Sequence, residues 1–178
     1  RMAKRASEQT GDERRIIAAS RFSSTQTQEF TDFGIEVLTC DLLKEGDIDS
    51  LPMVENVVYM LGRKFGSTGE ESLTWAVNCF LPSLVCRRYR NSRIVAFSTG
   101  NVYAYSPVTS SGPDETTSLN PVGEYGMSAL GRERMFEYFS RTLGIPTAII
   151  RLNYACDLRY GVLVDLATKV WQEAPIDV

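Results

Sequence analysis

Histidine is absent from the 178 residues of this sequence. That absence excludes Ser-His-Asp and Cys-His nucleophilic catalysis and every imidazole metal ligand. Proton transfer must fall to Tyr, Lys, Asp, Glu or Cys, and no metal site is expected. Cysteine is scarce as well: Cys40, Cys79, Cys86 and Cys156 are scattered without a C-x-x-C pair. Cys79 and Cys86 stand two helical turns apart on one face, too far to bridge, so all four read as reduced, mostly buried small hydrophobes. No uninterrupted apolar run approaches the ~20 residues that span a bilayer. The opening Arg1-Met2-Ala3-Lys4-Arg5 lacks the apolar segment of a signal peptide, which leads us to expect a cytoplasmic protein with no membrane partner. Positive charge is not in excess either. Lys and Arg number 19 against 22 Asp and Glu, a net charge of −3, and this argues against nucleic acid as a partner.

What remains is the composition of an ordinary globular domain, 43% hydrophobic and 23% charged, long enough to build a core without disulfides or metal. Short β-rich runs alternate with longer helical ones. Residues 15–20, 35–39, 56–61, 93–97 and 147–151 read as strands. Helices are expected over 26–33, closed by Gly34, over 48–53, over 70–90 with a kink at Pro82, over 123–143, stopped by Gly144, and over 162–172. Residues 107–121, rich in Ser, Thr, Pro, Gly and Asp, are expected to be loop. Strands separated by helices imply βαβ crossovers, and nearly all-apolar strands imply cover on both sides. The expected fold is therefore α/β: a Rossmann-like doubly wound parallel sheet with helices on both faces, in one domain over 1–178.

In such a sheet, ligands bind beyond the carboxyl ends of the strands. After the first strand comes Ser20-Arg21-Phe22-Ser23-Ser24, after the second Asp41-Leu42, and after the third Leu61-Gly62-Arg63-Lys64. Ser98-Thr99-Gly100-Asn101 follows the fourth and Asn153-Tyr154 the fifth. Hydroxyls, a carboxylate and several cations at one edge suit a phosphorylated, hydroxyl-rich ligand, although strand-end loops are polar in most proteins. Gly62 to Gly69 does not make the G-x-x-x-x-G-K-[ST] phosphate loop. Arg87-Arg88-Tyr89-Arg90 ends a helix, where cations complement the dipole.

These strand ends carry a resemblance. Ser98-Thr-Gly-Asn-Val-Tyr-Ala104 resembles the S-[ST]-x-x-V-Y-G segment of the extended short-chain dehydrogenases/reductases, the NAD(P)-dependent epimerase/dehydratase family. Pro113-Asp-Glu115, Asn120-Pro121 and Tyr125-Gly-Met-Ser-Ala-Leu130 follow in the family's order. Asp41-Leu42 resembles the acidic position after the family's third strand. Asn78 falls where its central helix carries Asn, and Arg151-Leu-Asn-Tyr154 resembles the strand before its substrate region. The resemblance runs through essentially the whole chain.

It implies hydride transfer between a nicotinamide cofactor and a sugar or other hydroxyl/carbonyl substrate, such as a nucleotide sugar. Tyr125 would be the acid/base and Thr99 would polarise the reacting oxygen. Ser20, Arg21, Asp41, Leu42, Leu61, Gly62, Asn78, Ser98 and Tyr125 would hold the cofactor, with Asn78 also ordering a relay water. Thr99, Gly100, Asn101 and Asn153 would meet the substrate. Where NAD-binding members carry an acidic residue on the ribose 2′-OH, this chain has Ser20-Arg21, which favours NADP, with NAD as the alternative. Family members often dimerise through helices equivalent to 70–90 and 123–143. Here these helices carry Trp75, Phe80, Leu84, Phe136, Tyr138 and Phe139, which would serve a homodimer or the core.

Three departures stand out. The family's first strand and G-x-x-G-x-x-G turn are missing, residues 1–9 resembling the end of the helix that follows them. The middle strand of the sheet would then be absent, and its neighbours would have to pair directly or stay unpaired. The sequence also ends at Pro175-Ile-Asp-Val178, just into a substrate region starting near 152–178, so we expect a piece of a longer protein. Finally, the family's Lys, four residues after the Tyr, lowers the Tyr pKa and binds the nicotinamide ribose; that position holds Ala129. A free Tyr of pKa ~10 is only ~0.1% ionised at pH 7. The alternative is therefore a catalytically degenerate dinucleotide-binding regulatory or scaffold protein. Lys64 and Lys169 are the lysines to check as replacements.

Overall fold

The computed structural model describes residues 4–5, 8–9, 11, 14–22, 27–64, 69–153 and 161–176. Ser23, Ser24, residues 65–68, Tyr154 and Cys156 lie outside the described residues.

Five parallel strands alternate with helices: β1 (Ile17–Ser20), α1 (Thr27–Asp32), β2 (Glu36–Thr39), α2 (Asp47–Ser50) and β3 (Asn56–Tyr59). Then come α3 (Glu71–Trp75), a π-helical turn (Ala76–Phe80), α4 (Leu81–Arg88) and β4 (Arg93–Thr99). A 3-10 turn (Gly100–Val102) leads by a long loop to α5 (Gly123–Leu143), β5 (Thr147–Leu152) and α6 (Val162–Trp171). Left-handed Gly144 (φ 70°) caps α5 as expected, a conformation that costs glycine nothing. Pro82 does disturb its helix, as a wide turn just before it: with no N–H, Pro82 cannot continue the i→i−4 ladder, and the backbone widens over Ala76–Phe80.

The strands form two sheets. β1 pairs with β2 from Ile17–Glu36 to Ser20–Thr39, and β3, β4 and β5 pair in that order. Among the described residues β1 and β3 do not pair with each other, so the single expected sheet is divided between them. One face of β3–β5 builds the core: Tyr59, Ile94 and Ala96 pack with Val85, Cys86 and Tyr89 of α4 and with Phe136 and Phe139 of α5. The architecture is the expected α/β, Rossmann-like one, parallel sheets with helices. Among the described residues the other face of β3–β5 is less covered: Val58 is 60% exposed, Met60 71%, Ile150 43% and Leu152 42%. α6 leaves Leu163, Val170 and Trp171 exposed. Among the described residues no helix is long and apolar enough to cross a membrane.

Candidate functional site

The end of β4 turns sharply. Thr99 Oγ1 donates to Asn101 Oδ1 at 3.0 Å and accepts from the Asn101 N–H at 3.2 Å, which closes the 3-10 turn. Gly100 backs onto Asn153 at the end of β5 so closely that a Cβ there would lie 1.6 Å from Asn153 Oδ1. The first turn of α5 rests on the same loop, since a Cβ on Gly126 would lie 2.7 Å from the Asn101 carbonyl oxygen. Thr99, Gly100, Asn101, Asn153 and the half-buried Tyr125 are thus gathered at the carboxyl end of one sheet. Of the two lysines considered as replacements, Lys64 lies over the Tyr125 ring, its Nζ 5.7 Å from the centroid. Lys169 sits on α6.

Beneath this edge lie two buried networks that redirect two expected cofactor ligands. Asn78, fully buried in the π turn, accepts at Oδ1 from the Arg63 N–H (2.8 Å) and an Arg132 Nη (2.7 Å). Its Nδ2 donates to the Arg63 carbonyl (3.0 Å) and to Ser128 Oγ (2.9 Å). All four hydrogen-bonding valences of the amide are used, so Asn78 pins the loop after β3 to α5 and has none left for a relay water. Ser98 turns to the core side, where its hydroxyl donates to Glu133 Oε1. Glu133, 1% exposed, is paired with Arg151 through Nη2 at 2.8 Å, and Arg151 also donates to the Tyr103 hydroxyl at 2.7 Å. The Glu133 hydrogen bond raises the already high Arg151 pKa against the cost of burial. Ala129, at the position of the family's Lys, is fully buried against Val102 and Tyr103.

Arg132 is not among the site residues expected from the sequence, since it stands outside the family's four-residue step from Tyr125. In the structure it is 5% exposed, with its Nη1 on the Phe97 carbonyl at 3.1 Å. Burial lowers its pKa, opposed by attraction to Tyr59, Tyr125 and Glu133. A Cβ on Gly62 would lie 2.6 Å from its Nη2, so a larger residue there would make the guanidinium shift. The signal available was the three-residue step from Ala129, which keeps both on one helix face.

Along the rest of the edge, Ser20 and Arg21 end β1 and Asp41 follows β2, with the exposed Arg21 guanidinium 4.0 Å from the Asp41 carboxylate. Asp41 is held by its Oδ1 accepting from the Leu43 N–H, and Leu42 and Leu61 pack against the core cluster. For a dinucleotide, the fit divides. Ser20, Arg21 and Asp41 offer hydroxyl, cation and carboxylate to a ribose, and Gly62, Thr99 and Tyr125 gather where a reacting ring would sit. No described residue supplies the glycine turn that would hold a pyrophosphate.

The aromatic residues of the two long helices divide as well. Phe136 and Phe139 belong to the core, whereas Trp75 (37%), Phe80 (56%) and Tyr138 (56%) are exposed. A cavity of about 500 Å³ between α2 and the end of α4 is lined by Met53, Leu84, Arg87, Arg88 and Arg90. It lies by the amino end of β4, away from these groups.

The chain resembles solved structures along nearly its whole length. UDP-glucuronic acid 4-epimerase from Bacillus cereus, in complex with NAD, superposes with a TM-score of 0.75 at 14% identity, over 99% of this chain and 61% of that one. UDP-glucose 4-epimerase from Thermotoga maritima, with UDP-glucose, gives 0.76 at 16% identity, over 98% and 60%. RMD from Pseudomonas aeruginosa, complexed with NADPH, gives 0.63 at 16%, over 79% and 55%. This chain therefore spans 55–61% of those proteins, less than two thirds, and at such identities the likeness shows the fold alone. A search of curated proteins finds no match. The sequence pattern of one family does match, over residues 2–155. That stretch holds the Thr99 turn, the Tyr125 helix and the strand ends described above, and on it the chain belongs to the NAD dependent epimerase/dehydratase family.

Proposed function

We propose that this chain is the nucleotide-binding part of an NAD(P)-dependent epimerase, dehydratase or reductase acting on a hydroxyl-bearing sugar, most simply a nucleotide sugar. The observation that carries this reading is the gathering of Thr99, Asn101, Asn153 and Tyr125 at one sheet edge, with α5 packed against the turn after β4. The nicotinamide would supply the hydride acceptor and donor. Tyr125 would move the proton at the substrate hydroxyl, and Thr99, fixed by Asn101, would hold the same oxygen. Ser20, Arg21, Asp41, Leu42, Leu61 and Gly62 would line the cofactor, with Asn78 and Ser98 supporting from beneath. Arg21 favours NADP, while the Asp41 carboxylate beside it weakens that preference and keeps NAD in view. The exposed Trp75, Phe80 and Tyr138 would pair two copies as a homodimer.

A second reading is favoured by Ala129, whose full burial leaves no ammonium at the family's position: a catalytically degenerate dinucleotide-binding regulatory or scaffold protein. Tyr125→Phe separates the two. Under the enzyme reading turnover falls by about 10²–10⁴ while cofactor binding is retained. Unchanged turnover would sink it. Titration with NADPH and NADH by nicotinamide fluorescence tests the cofactor: tighter NADPH binding, lost in Arg21→Ala, is expected, and equal binding in both proteins would remove Arg21 from the site.

A further inference from the structure

We infer that Arg132 is the fixed positive charge of this site and sets its preference for the neutral reduced nicotinamide over the cationic oxidised one. This rests on the function proposed above. A guanidinium 5% exposed is costly to bury, and the usual compensation is a carboxylate. Arg132 has none within ion-pair distance among the described residues; the neighbouring Glu133 is taken by Arg151. Its acceptors are neutral, the Asn78 amide and the Phe97 carbonyl, and its Nε is buried without a partner. A side chain of similar length without charge would be cheaper here, and buried cations that stability does not require are concentrated at functional sites.

Position points the same way. Residue 132 stands three after Ala129 on α5, and helical side chains lean toward the N-terminus. The guanidinium consequently covers the turn that Ala129 leaves without an ammonium, on the side of Tyr125. It touches the ends of two adjacent strands, Gly62 after β3 and Phe97 in β4, at the edge where ligands of such sheets bind. Lys64, the other nearby cation, is exposed and therefore screened by solvent and salt. A buried charge facing a nicotinamide repels the oxidised ring, which carries one positive charge, and leaves the reduced ring unaffected.

The test is binding. The full chain is titrated with reduced cofactor by fluorescence, and oxidised cofactor is measured by displacement, using whichever pair the unmodified chain binds more tightly. Arg132→Met should tighten the oxidised form relative to the reduced one by about tenfold. Arg132→Lys should keep the original ratio, and Ala129→Lys added to Arg132→Met should restore it. A purely structural role would weaken both forms alike and leave the ratio unchanged, and that result overturns the inference. Should Arg132→Met fail to fold by circular dichroism, Gly62→Ala displaces the guanidinium without removing it and must shift the ratio in the same direction. If the unmodified chain binds neither form, the proposed function fails first and the inference with it.

Discussion

Single residues here carry obligations that their neighbours alone would not reveal. Glu133 is a buried carboxylate whose charge is met by the Arg151 guanidinium and the Ser98 hydroxyl. Removing one member of such a pair strands the other. Glu133→Ala is therefore expected to lower the unfolding free energy by about 3–5 kcal/mol, read by urea denaturation. A loss below ~1 kcal/mol would mean that water reaches Arg151 once the carboxylate is gone. Cys86 shows the opposite condition: fully buried, its thiol is pushed up to about 12 by burial, so it remains a neutral packing group. The free cysteines Cys40, Cys79 and Cys86 follow the reading made from their spacing.

Between elements, the π turn and α5 pack closely. A Cβ on Gly131 would lie 2.9 Å from Cys79 Sγ and 3.3 Å from its Cβ. Glycine there lets the two helices come near enough for Asn78 to reach Ser128 and Arg132. Gly131→Ala should force the helices apart and cost about 1–3 kcal/mol through overpacking, more than the gain in helix propensity returns. Thermal unfolding measures it, and an increase in Tm would show that the pair has slack. The helix 123–143 is legible in the sequence as a long helical run stopped by Gly144. The π turn is not, because proline spacing marks a disturbance without saying whether the backbone bends or widens.

Across the molecule, helices cover one face of the three-stranded sheet, while among the described residues the other face leaves apolar side chains exposed. Ile94, 1% exposed, faces the helices, whereas Val58, 60% exposed, faces away. Ile94→Ala should cost about 2–5 kcal/mol, while Val58→Thr should change stability by less than ~0.5 kcal/mol. Comparable losses from both would place a packed layer on the second face. The asymmetry accompanies the divided sheet, with β1–β2 on one side and β3–β4–β5 on the other.

Element type and order could be read from the chain because hydrophobic periodicity, glycine stops and strand-end polarity are local properties. The departure at Ala129 and the pairing of Thr99 with Tyr125 are implied by the family resemblance, not by local pattern. Which side chains face the crevice is a matter of packing between elements far apart in sequence. Ser98 and Asn78 stand in the expected positions, yet Glu133 and Arg132, 35 and 54 residues away, turn them inward. Arg132 itself acquires meaning only when α5 lies against Gly62, because burial, not spacing, leaves its guanidinium without a carboxylate partner among the described residues.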